Sequence, residues 1–377
     1  MRGPTRASTA CLLTSIIIAA GLAGCLGGVP DEIEPEVDLT TARVVSDGVL
    51  TILTYDIYGL SEEMVSEFTN ATGITVEFIR GADAGTVLDT AILSKGAPLH
   101  DLIIGIDNSF LQVALRHQIY QPANVQVGEL DARALAPYSG EMVVPYDFGS
   151  ICFNFDTTYV DGQNVTVPTS LWDFTGEDWD GRVVVQNPRT SSPGRAFLAA
   201  TTAYFGTDAD ASTDYGDWWS AMADNNMRIT SGWTEAYEMH YSGGYGPWTE
   251  GHIGDAQAVV SYCHSPGVEA WYAGNWTQSA ALDLHGASFL QVEYAGIAAG
   301  AAEADEARQF IEYLLSEAVN SQMPTQNLMY SALAGHDLPE DDGYRYHSVV
   351  PVDAELTPAQ IGAYMDDWLD TWDAAVV

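Results

Sequence analysis

The sequence predicts an α/β protein with two lobes. From residue 48 onward, segments typical of strands alternate with segments typical of helices, and this alternation favours a largely parallel sheet. Residues 101–106 are almost continuously apolar, as in a strand that is covered on both faces of its sheet. The chain has 377 residues, more than the roughly 250–300 that one hydrophobic core serves. Two lobes are therefore expected.

The elements of the first lobe follow from the spacing of apolar residues. Strand spacing is found at 49–53, 74–79 and 101–106, and helical spacing at 62–72 and 87–94. No internal repeat is visible.

The chain is expected to cross between the lobes twice. The first crossing is placed near Tyr146 to Gly149 and the return near Leu290 to Val292. Lobe 1 is predicted to comprise 48–146 and 291–377, and lobe 2 to comprise 147–290. Two later segments with helical spacing, 303–316 and 359–374, are assigned to lobe 1.

The first residues predict export and attachment to a membrane. Arg2 and Arg6 precede a short apolar run that ends in Leu-Ala-Gly-Cys at 22–25, a pattern typical of a signal peptide and too short for a membrane-spanning helix. The ending resembles a lipoprotein processing site, so residues 1–24 are predicted to be the signal peptide and Cys25 the lipidated first residue. The alternative is an uncleaved membrane anchor. Residues 25–47 contain little apolar material and are predicted to be a disordered tether.

The charge balance predicts a protein adapted to high salt. The chain carries 52 acidic and 13 basic residues, a formal net charge of −39. Such a surface repels itself at low salt, whereas at about 1 M salt the Debye length falls to about 3 Å and the repulsion is screened. The composition resembles that of proteins from extreme halophiles. Recruitment of a basic partner is the alternative, but the acids are dispersed along the chain rather than clustered. The sequence contains no basic patch, so nucleic acid is not an expected partner.

Cysteine usage leaves one possible pair in the exported chain. Cys11 lies in the signal peptide and Cys25 is assigned to the lipid, so Cys152 and Cys263 remain. They are able to pair in an oxidising compartment, but the apolar run around Cys152 favours a buried free cysteine. The pairing stays open. The spacing of Cys and His predicts no metal site.

Several short motifs carry the functional prediction. They are Leu-Thr-Tyr-Asp at 53–56, Asn-Pro-Arg-Thr-Ser-Ser-Pro-Gly at 187–194, Ser-Gly-Trp-Thr-Glu-Ala-Tyr at 231–237, Ser-Tyr-Cys-His-Ser-Pro at 261–266 and Phe-Leu-Gln-Val-Glu at 289–293. Aromatic residues beside small polar ones suit a small, flat, partly polar ligand. In this order, the motifs resemble those of the thiamine-binding extracytoplasmic proteins of thiamine ABC importers.

The resemblance implies a type II periplasmic-binding-protein fold, with a ligand cleft between two lobes. It also implies that the protein binds thiamine or a thiamine phosphate and delivers it to a membrane permease. The ligand-binding residues that the resemblance implies are Tyr55, Asp83, Ser191, Ser192, Trp233, Tyr237 and Tyr262. Thiamine contains a thiazolium cation, which aromatic faces attract, and an aminopyrimidine whose amino group a carboxylate is able to accept.

Each of these residues also has a structural alternative. The alternative role of Tyr55 is packing at the interface, and Asp83 is equally suited to cap a helix. Ser191 and Ser192 suit an ordinary helix start. Trp233 and Tyr237 lie four residues apart, a spacing that is also common in helices that pack against a core.

The chain departs from the family at two positions. The family's second tyrosine after its Ser-Pro is Val268 here, and a family tryptophan is Leu328. The missing aromatic area is expected to come from Tyr245, Trp248, Trp271, Tyr272 or Trp276.

Two other functions compete with thiamine binding. An importer protein of the same fold for ferric ion or polyamine is the closer alternative. A thiaminase-like enzyme would need a nucleophile next to a base, but Cys263 and His264 alternate to opposite sides of an extended chain. The sequence therefore predicts a binding protein without catalytic residues or a cofactor.

Overall fold

The computed structural model describes residues 47–377, apart from residue 57, residues 208–212 and residues 245–249. The predicted signal peptide, the predicted lipidation site Cys25 and nearly all of the predicted tether lie outside these residues. The described residues form ten strands: β1 (Val49–Thr54), β2 (Thr75–Arg80), β3 (Leu102–Asp107), β4 (Val144–Asp156), β5 (Val183–Gln186), β6 (Arg228–Thr230), β7 (Ala258–Tyr262), β8 (Ser279–Ala281), β9 (Phe289–Ile297) and β10 (Tyr330–Ser331).

The α-helices of the described residues are α1 (Glu62–Thr72), α2 (Ala84–Leu93), α3 (Leu111–His117), α4 (Ala132–Leu135), α5 (Ser192–Phe205), α6 (Tyr215–Asp224), α7 (Ser265–Tyr272), α8 (Ala304–Leu314), α9 (Glu317–Asn320), α10 (Met323–Gln326) and α11 (Pro358–Val376). A π-helix covers Glu235–His240, and short 3-10 helices lie at Leu171–Thr175, Glu177–Trp179 and Asp341–Gly343. No helix within the described ranges is both long enough and apolar enough to cross a bilayer.

The strands form one mixed sheet with the order β2-β1-β3-β9-β4-β7-β5-β6, and β8 and β10 both pair with β4. The outer groups β2-β1-β3 and β7-β5-β6 are parallel, as the alternation of strands and helices predicts. The inner strands β9 and β4 run antiparallel to each other and to the groups beside them. The predicted α/β fold class is confirmed.

Local signals in the sequence explain where the first helices begin and end. Ser61 accepts a hydrogen bond from Met64 N at the start of α1, and Gly73 ends this helix with a φ of 79°, a left-handed conformation that favours glycine. Asp83 caps α2 in the same way as Ser61 caps α1, by accepting from Ala84 N. The strand that follows α2, β3, is buried along its whole length, as its continuous apolar run predicts.

Two separate groups of buried side chains form the cores. The first core includes Ile52 and Phe310, and the second includes Phe153 and Trp218. Along β4, the buried apolar side chains belong to the first core as far as Phe148 and to the second core from Ile151 onward.

The strand β9 changes cores in the same manner, since Phe289 belongs to the second core and Val292 to the first. Gly149 of β4 pairs with Gln291 of β9. Both strands therefore pass from one core to the other at the same level of the sheet, which gives the predicted two-lobed arrangement. The lobe boundaries drawn from the sequence, at residues 147 and 291, remain a proposal.

The placement of the last helix in lobe 1 was wrong. The buried face of α11, which includes Ile361, Trp368 and Trp372, belongs to the second core. There it packs mainly against α6 and α5. Apolar periodicity shows which face of a helix is buried, but it does not show which core receives that face.

The two cysteines whose pairing the sequence left open are joined in the structure. Cys152 and Cys263 form a disulfide, with their Cα atoms 5.3 Å apart. The antiparallel pairing of β4 with β7 brings them together, because Ile151 lies opposite Tyr262 and Cys152 opposite Ser261. Both cysteines are nevertheless buried.

Candidate functional site

A cavity lies where the two cores meet, beside the central strands of the sheet. It encloses ≈ 720 Å³, including the space that is open to solvent at its mouth. The residues that line it are Tyr55, Asp56, Asp83, Ala84, Gly105, Ser192, Pro193, Trp233, Thr234, Tyr237, Tyr262, Ser265, Val268, Glu293, Asn327, Leu328 and Met329.

Six of the seven predicted ligand-binding residues line this cavity: Tyr55, Asp83, Ser192, Trp233, Tyr237 and Tyr262. The seventh, Ser191, is fully buried directly before α5 and is not one of the lining residues. The fold thus brings together residues that lie up to 207 positions apart (55 to 262). Their role as ligand contacts remains a prediction.

Tyr55 is held at the end of β1 by a close approach to β3. Gly105 of β3 has a φ of +96°, and a side chain there would place its Cβ within 2.2 Å of the Tyr55 ring. The tyrosine hydroxyl donates to Glu293 Oε2 at 2.9 Å and accepts from Asn327 Nδ2 at 2.9 Å. Tyr55 therefore has specific polar partners at the cavity and is more than a packing residue.

Trp233 and Tyr237 form an aromatic wall. Their rings are stacked, with centroids 4.7 Å apart and an interplanar angle of 11°. Trp233 Nε1 donates to Ser261 Oγ at 2.9 Å, and the Tyr237 hydroxyl donates to Glu269 Oε1 at 3.1 Å. Both residues also belong to a small apolar group on the lobe 2 side. This pair therefore packs in an apolar core and lines the cavity at the same time.

The Asp83 carboxylate joins two parts of the chain. Its Oδ1 accepts from Ala84 N at 2.7 Å, as a helix cap, and from Ser192 N at 3.2 Å. Its Oδ2 accepts from Trp233 N at 3.4 Å. Burial raises the pKa of Asp83 to about 6, although these backbone hydrogen bonds oppose the rise. Capping and a place in the cavity are thus compatible.

Asp107 is the last residue of β3 and is buried. Its carboxylate contacts the first residue of α5, Ser192. Its Oδ2 accepts a hydrogen bond from Ser192 Oγ, and its Oδ1 accepts from Ser109 N. Burial raises the pKa of Asp107 to about 6, and the positive charge of Arg195 acts in the opposite direction. The amide and hydroxyl of Ser192, one of the predicted ligand-binding residues, therefore both donate to carboxylates.

Glu293 is a lining residue that the sequence prediction did not select. Its Oε2 accepts from the hydroxyls of Tyr55 and Tyr146, at 2.9 and 2.5 Å. Asp147 lies opposite Glu293 on the neighbouring strand. Burial and their mutual repulsion raise the pKa of Asp147 well above its usual range, and burial likewise raises that of Glu293. The signal that was available is the pair Gln291 and Glu293, two polar residues at alternate positions of a buried strand.

Two charged residues of the sequence motifs, Arg189 and Glu235, form polar contacts away from the cavity. Arg189 donates to Asp370 and Asp373 of α11, with its Nη2 3.0 and 2.5 Å from their carboxylate oxygens. The exposed Glu235 accepts from the backbone and side chain of Ser231. Neither residue lines the cavity.

Three of the aromatic residues expected to replace those lost at Val268 and Leu328 belong to the described residues, and none of these three lines the cavity. Val268 and Leu328 themselves line the cavity, whereas Trp271, Tyr272 and Trp276 do not. Tyr272 and Trp276 are more than half exposed. Tyr245 and Trp248 lie outside the described residues. In the described part of the cavity, aliphatic side chains occupy the two substituted positions.

The chemistry of the cavity suits a flat cation. Asp107, Asp147 and Glu293 are buried and Asp83 is half-buried, whereas Arg195 is the only arginine or lysine among the described residues that is buried. Buried charge of one sign is costly unless a partner compensates it, and stacked aromatic faces attract cations. Within the described ranges, no group of three or more His, Cys, Asp or Glu is arranged to hold a metal ion. Since Cys263 is joined to Cys152, it supplies no free thiol beside His264.

Comparisons with known proteins agree with this fold. The profile of the family "Bacterial extracellular solute-binding protein" matches residues 63–329. The "Thiamine-binding periplasmic protein" of Escherichia coli is 26% identical over 342 residues, which cover 90% of this chain and 96% of that protein.

Solved structures share the fold as well. A structure titled "Periplasmic thiamin binding protein" superposes with a TM-score of 0.70 at 25% identity, and covers 87% of this chain and 96% of its own. A ferric binding protein from Campylobacter jejuni has a TM-score of 0.67 at 13% identity, with 86% of this chain and 99% of its own chain covered. The second likeness bears on the fold alone.

Proposed function

Because the chain belongs to the bacterial extracellular solute-binding proteins, we propose that it binds thiamine or a thiamine phosphate and delivers it to the permease of an ABC importer. One observation carries this proposal: a stacked Trp233–Tyr237 wall lines the same cavity as the carboxylates of Asp83 and the buried Glu293. The names of the relatives support the same ligand.

The chemistry of thiamine matches the two kinds of surface. The wall offers an aromatic face to the thiazolium or the pyrimidine ring, with an attraction of roughly 0.5–2 kcal/mol for a cation. The Asp83 carboxylate accepts the pyrimidine amino group, in place of its long contact with Trp233 N (3.4 Å). Tyr55 and Tyr262 enclose the remaining edge of the ligand.

Contacts across the cavity support a closing motion. Asp83 of the proposed lobe 1 accepts from the backbone of Ser192 and Trp233 of lobe 2, and Thr234 Oγ1 donates to Asp56 Oδ2 at 3.2 Å. A ligand that contacts both sides biases such a hinge toward the closed state. The permease would recognise the closed form.

Unphosphorylated thiamine is the preferred form in this proposal. A phosphate at the start of α5 would displace Asp83 from Ser192 N and Asp107 from Ser192 Oγ. It would then lie beside both carboxylates, and like charges at close range disfavour binding. Affinity should therefore fall from thiamine to its monophosphate and again to its diphosphate.

The setting of the protein is proposed from its sequence. The signal peptide at 1–24, the lipid on Cys25 and the tether at 25–47 would hold the binding unit on the outer face of the cell membrane. The net charge of −39 supports a saline habitat.

A thermal-shift panel tests the ligand. The folded protein, in about 1 M potassium chloride, is heated with thiamine, its two phosphates, spermidine or ferric citrate, the last two representing the competing functions. Thiamine at about one hundred times its Kd should stabilise the fold by about 2.7 kcal/mol. Oxythiamine, which lacks the pyrimidine amino group, is the matched control and should stabilise less. Stabilisation by spermidine or ferric citrate alone would contradict the proposal.

A further inference from the structure

Three buried carboxylates lie side by side on neighbouring strands at the base of the cavity. Glu293 of β9 is in register with Asp107 of β3 on one side and with Asp147 of β4 on the other. Asp107 and Asp147 are 0% exposed and Glu293 is 4% exposed. We call these three residues the acid row. Like charges opposite each other destabilise a sheet, so the acid row calls for a compensating group.

Two residues of the acid row, Glu293 and Asp147, accept hydrogen bonds. Among the described residues, all their donors are neutral. The Tyr55 and Tyr146 hydroxyls donate to Glu293 Oε2, and Gln291 Nε2 donates to Glu293 Oε1 at 3.2 Å. Asn327 Nδ2 donates to Asp147 Oδ2 at 2.6 Å. Asp147 Oδ1 has no hydrogen-bond partner in the described structure. This half of the acid row therefore lacks a cation.

A buried arginine lies beside the other half of the acid row. Arg195 is 4% exposed, and its positive charge acts to lower the pKa of Asp107. Its Nε donates to Ser109 O at 3.2 Å. The titratable and charged groups around Glu293 are Tyr55 and Tyr58 after β1, Asp83 before α2, Asp107 on β3, Tyr146 and Asp147 on β4, Tyr262 on β7, and Arg195 on α5. The buried side chains of α8, which also packs on β9, are apolar.

Only Glu293 of the acid row opens to the cavity. Without a ligand, the pair Asp147 and Glu293 is able to avoid two adjacent buried charges by holding a proton. The raised pKa values of both carboxyls, caused first by burial, agree with this state. A cation in the cavity would supply the missing charge at Glu293.

We infer that Glu293 is the counter-ion of the ligand's charged ring, and that the Asp147–Glu293 pair loses its shared proton to solvent when the cation binds. The inference rests on the proposed function, since it concerns the thiazolium ring of thiamine. The reaction is balanced: one cation enters, one proton leaves, and the charge of the cavity is unchanged. Glu293 thereby selects for a permanent positive charge over a neutral ring of the same shape.

Titration calorimetry in buffers of different ionisation enthalpy counts the protons that leave on binding. With wild-type protein at about pH 6.5–7, in about 1 M potassium chloride, thiamine binding should release a proton fraction approaching one. The release should fall as pH rises and the unliganded pair ionises before the cation arrives. Thiamine affinity should rise with pH over the same interval.

Two glutamine variants locate the effect. Glu293→Gln should release few or no protons and should bind thiamine about tenfold or more weakly. Its affinity should be unchanged for an analogue with a neutral thiophene ring in place of thiazolium. Glu303→Gln is the matched control, because Glu303 is also buried but accepts from Gly48 N, at the start of β1, and does not line the cavity. This variant should behave as wild type.

The outcomes separate the two proposals. No heat with thiamine in the wild type would overturn the proposed function and this inference together. Thiamine binding without proton release from the wild type would overturn the inference alone, even if Glu293→Gln does not fold. Equal loss of affinity for thiamine and for its neutral analogue in Glu293→Gln would overturn it as well.

Discussion

Replacing Asp83 separates its two roles, because asparagine keeps one of them. In the structure, Asp83 Oδ1 caps α2 at Ala84 N (2.7 Å), and the carboxylate also reaches Ser192 N and Trp233 N. Asparagine caps helices about as well as aspartate, whereas alanine loses about 1 kcal/mol at such a position. Asp83→Asn should therefore leave the free energy of unfolding nearly unchanged, and Asp83→Ala should lower it by about 1 kcal/mol.

The effect of Asp83→Asn on binding should be larger than its effect on folding. A hydrogen bond to a charged group contributes about 1.5–3 kcal/mol, and each 1.4 kcal/mol changes an equilibrium constant about tenfold. Loss of the carboxylate that accepts the pyrimidine amino group should thus weaken thiamine binding roughly 10- to 150-fold. Burial raises the pKa of Asp83 to about 6, so the measurement belongs at about pH 7.5, where the wild-type carboxylate is ionised.

Two assays on the same samples decide between the roles. Calorimetry gives the Kd for thiamine, and urea unfolding gives stability without adding a denaturing salt. Wild-type affinity in folded Asp83→Asn would refute the assignment of this carboxylate to the ligand. An affinity loss confined to Asp83→Ala and matched by its loss of stability would leave capping as the sole role.

Three further predictions concern the wall, the disulfide and pH. Trp233→Ala should weaken thiamine binding by roughly 2- to 30-fold through loss of the aromatic face, and Trp233→Phe should weaken it less; equal Kd values for the three proteins in calorimetry would contradict the stacking role. Replacing Cys152 and Cys263 together by alanine should lower the free energy of urea unfolding by about 2–4 kcal/mol, because the disulfide closes a sequence separation of 111 residues; an unchanged unfolding midpoint would show that the bond does not constrain the chain. Asp83 and Asp107 have pKa values raised to about 6 by burial, above the ordinary value of about 3.9. The stability that they contribute is therefore present below about pH 4 and is lost as pH rises through about 6; urea unfolding of the unliganded protein in high salt should show this decline, and stability that increases over this interval would contradict the burial of these carboxyls.

The fold was predictable because its signals are local. Short segments of sequence determine the alternation of strands and helices from Val49 to Asp107 and the caps at Ser61 and Asp83. The core that receives α11 was not predictable, because its buried Trp368 and Trp372 would fit either core by periodicity alone.

The candidate site was predictable where whole motifs keep the family's order. Trp233 and Tyr262 line the cavity at the positions that the resemblance implies. The acid row was missed because Asp107, Asp147 and Glu293 are distant in sequence, and only the register of β3, β9 and β4 brings them side by side. The register of β4 with β7 likewise joins Cys152 to Cys263, which neither local segment reveals.

The central claim is that this acidic protein holds a flat cation between aromatic rings and buried carboxylates. Titration of thiamine into the folded protein by calorimetry, in about 1 M potassium chloride where surface charge is screened, tests it most directly. We expect saturable heat with one thiamine per chain. Absence of heat with thiamine and both phosphates, in a sample that binds spermidine or ferric ion saturably, would contradict it.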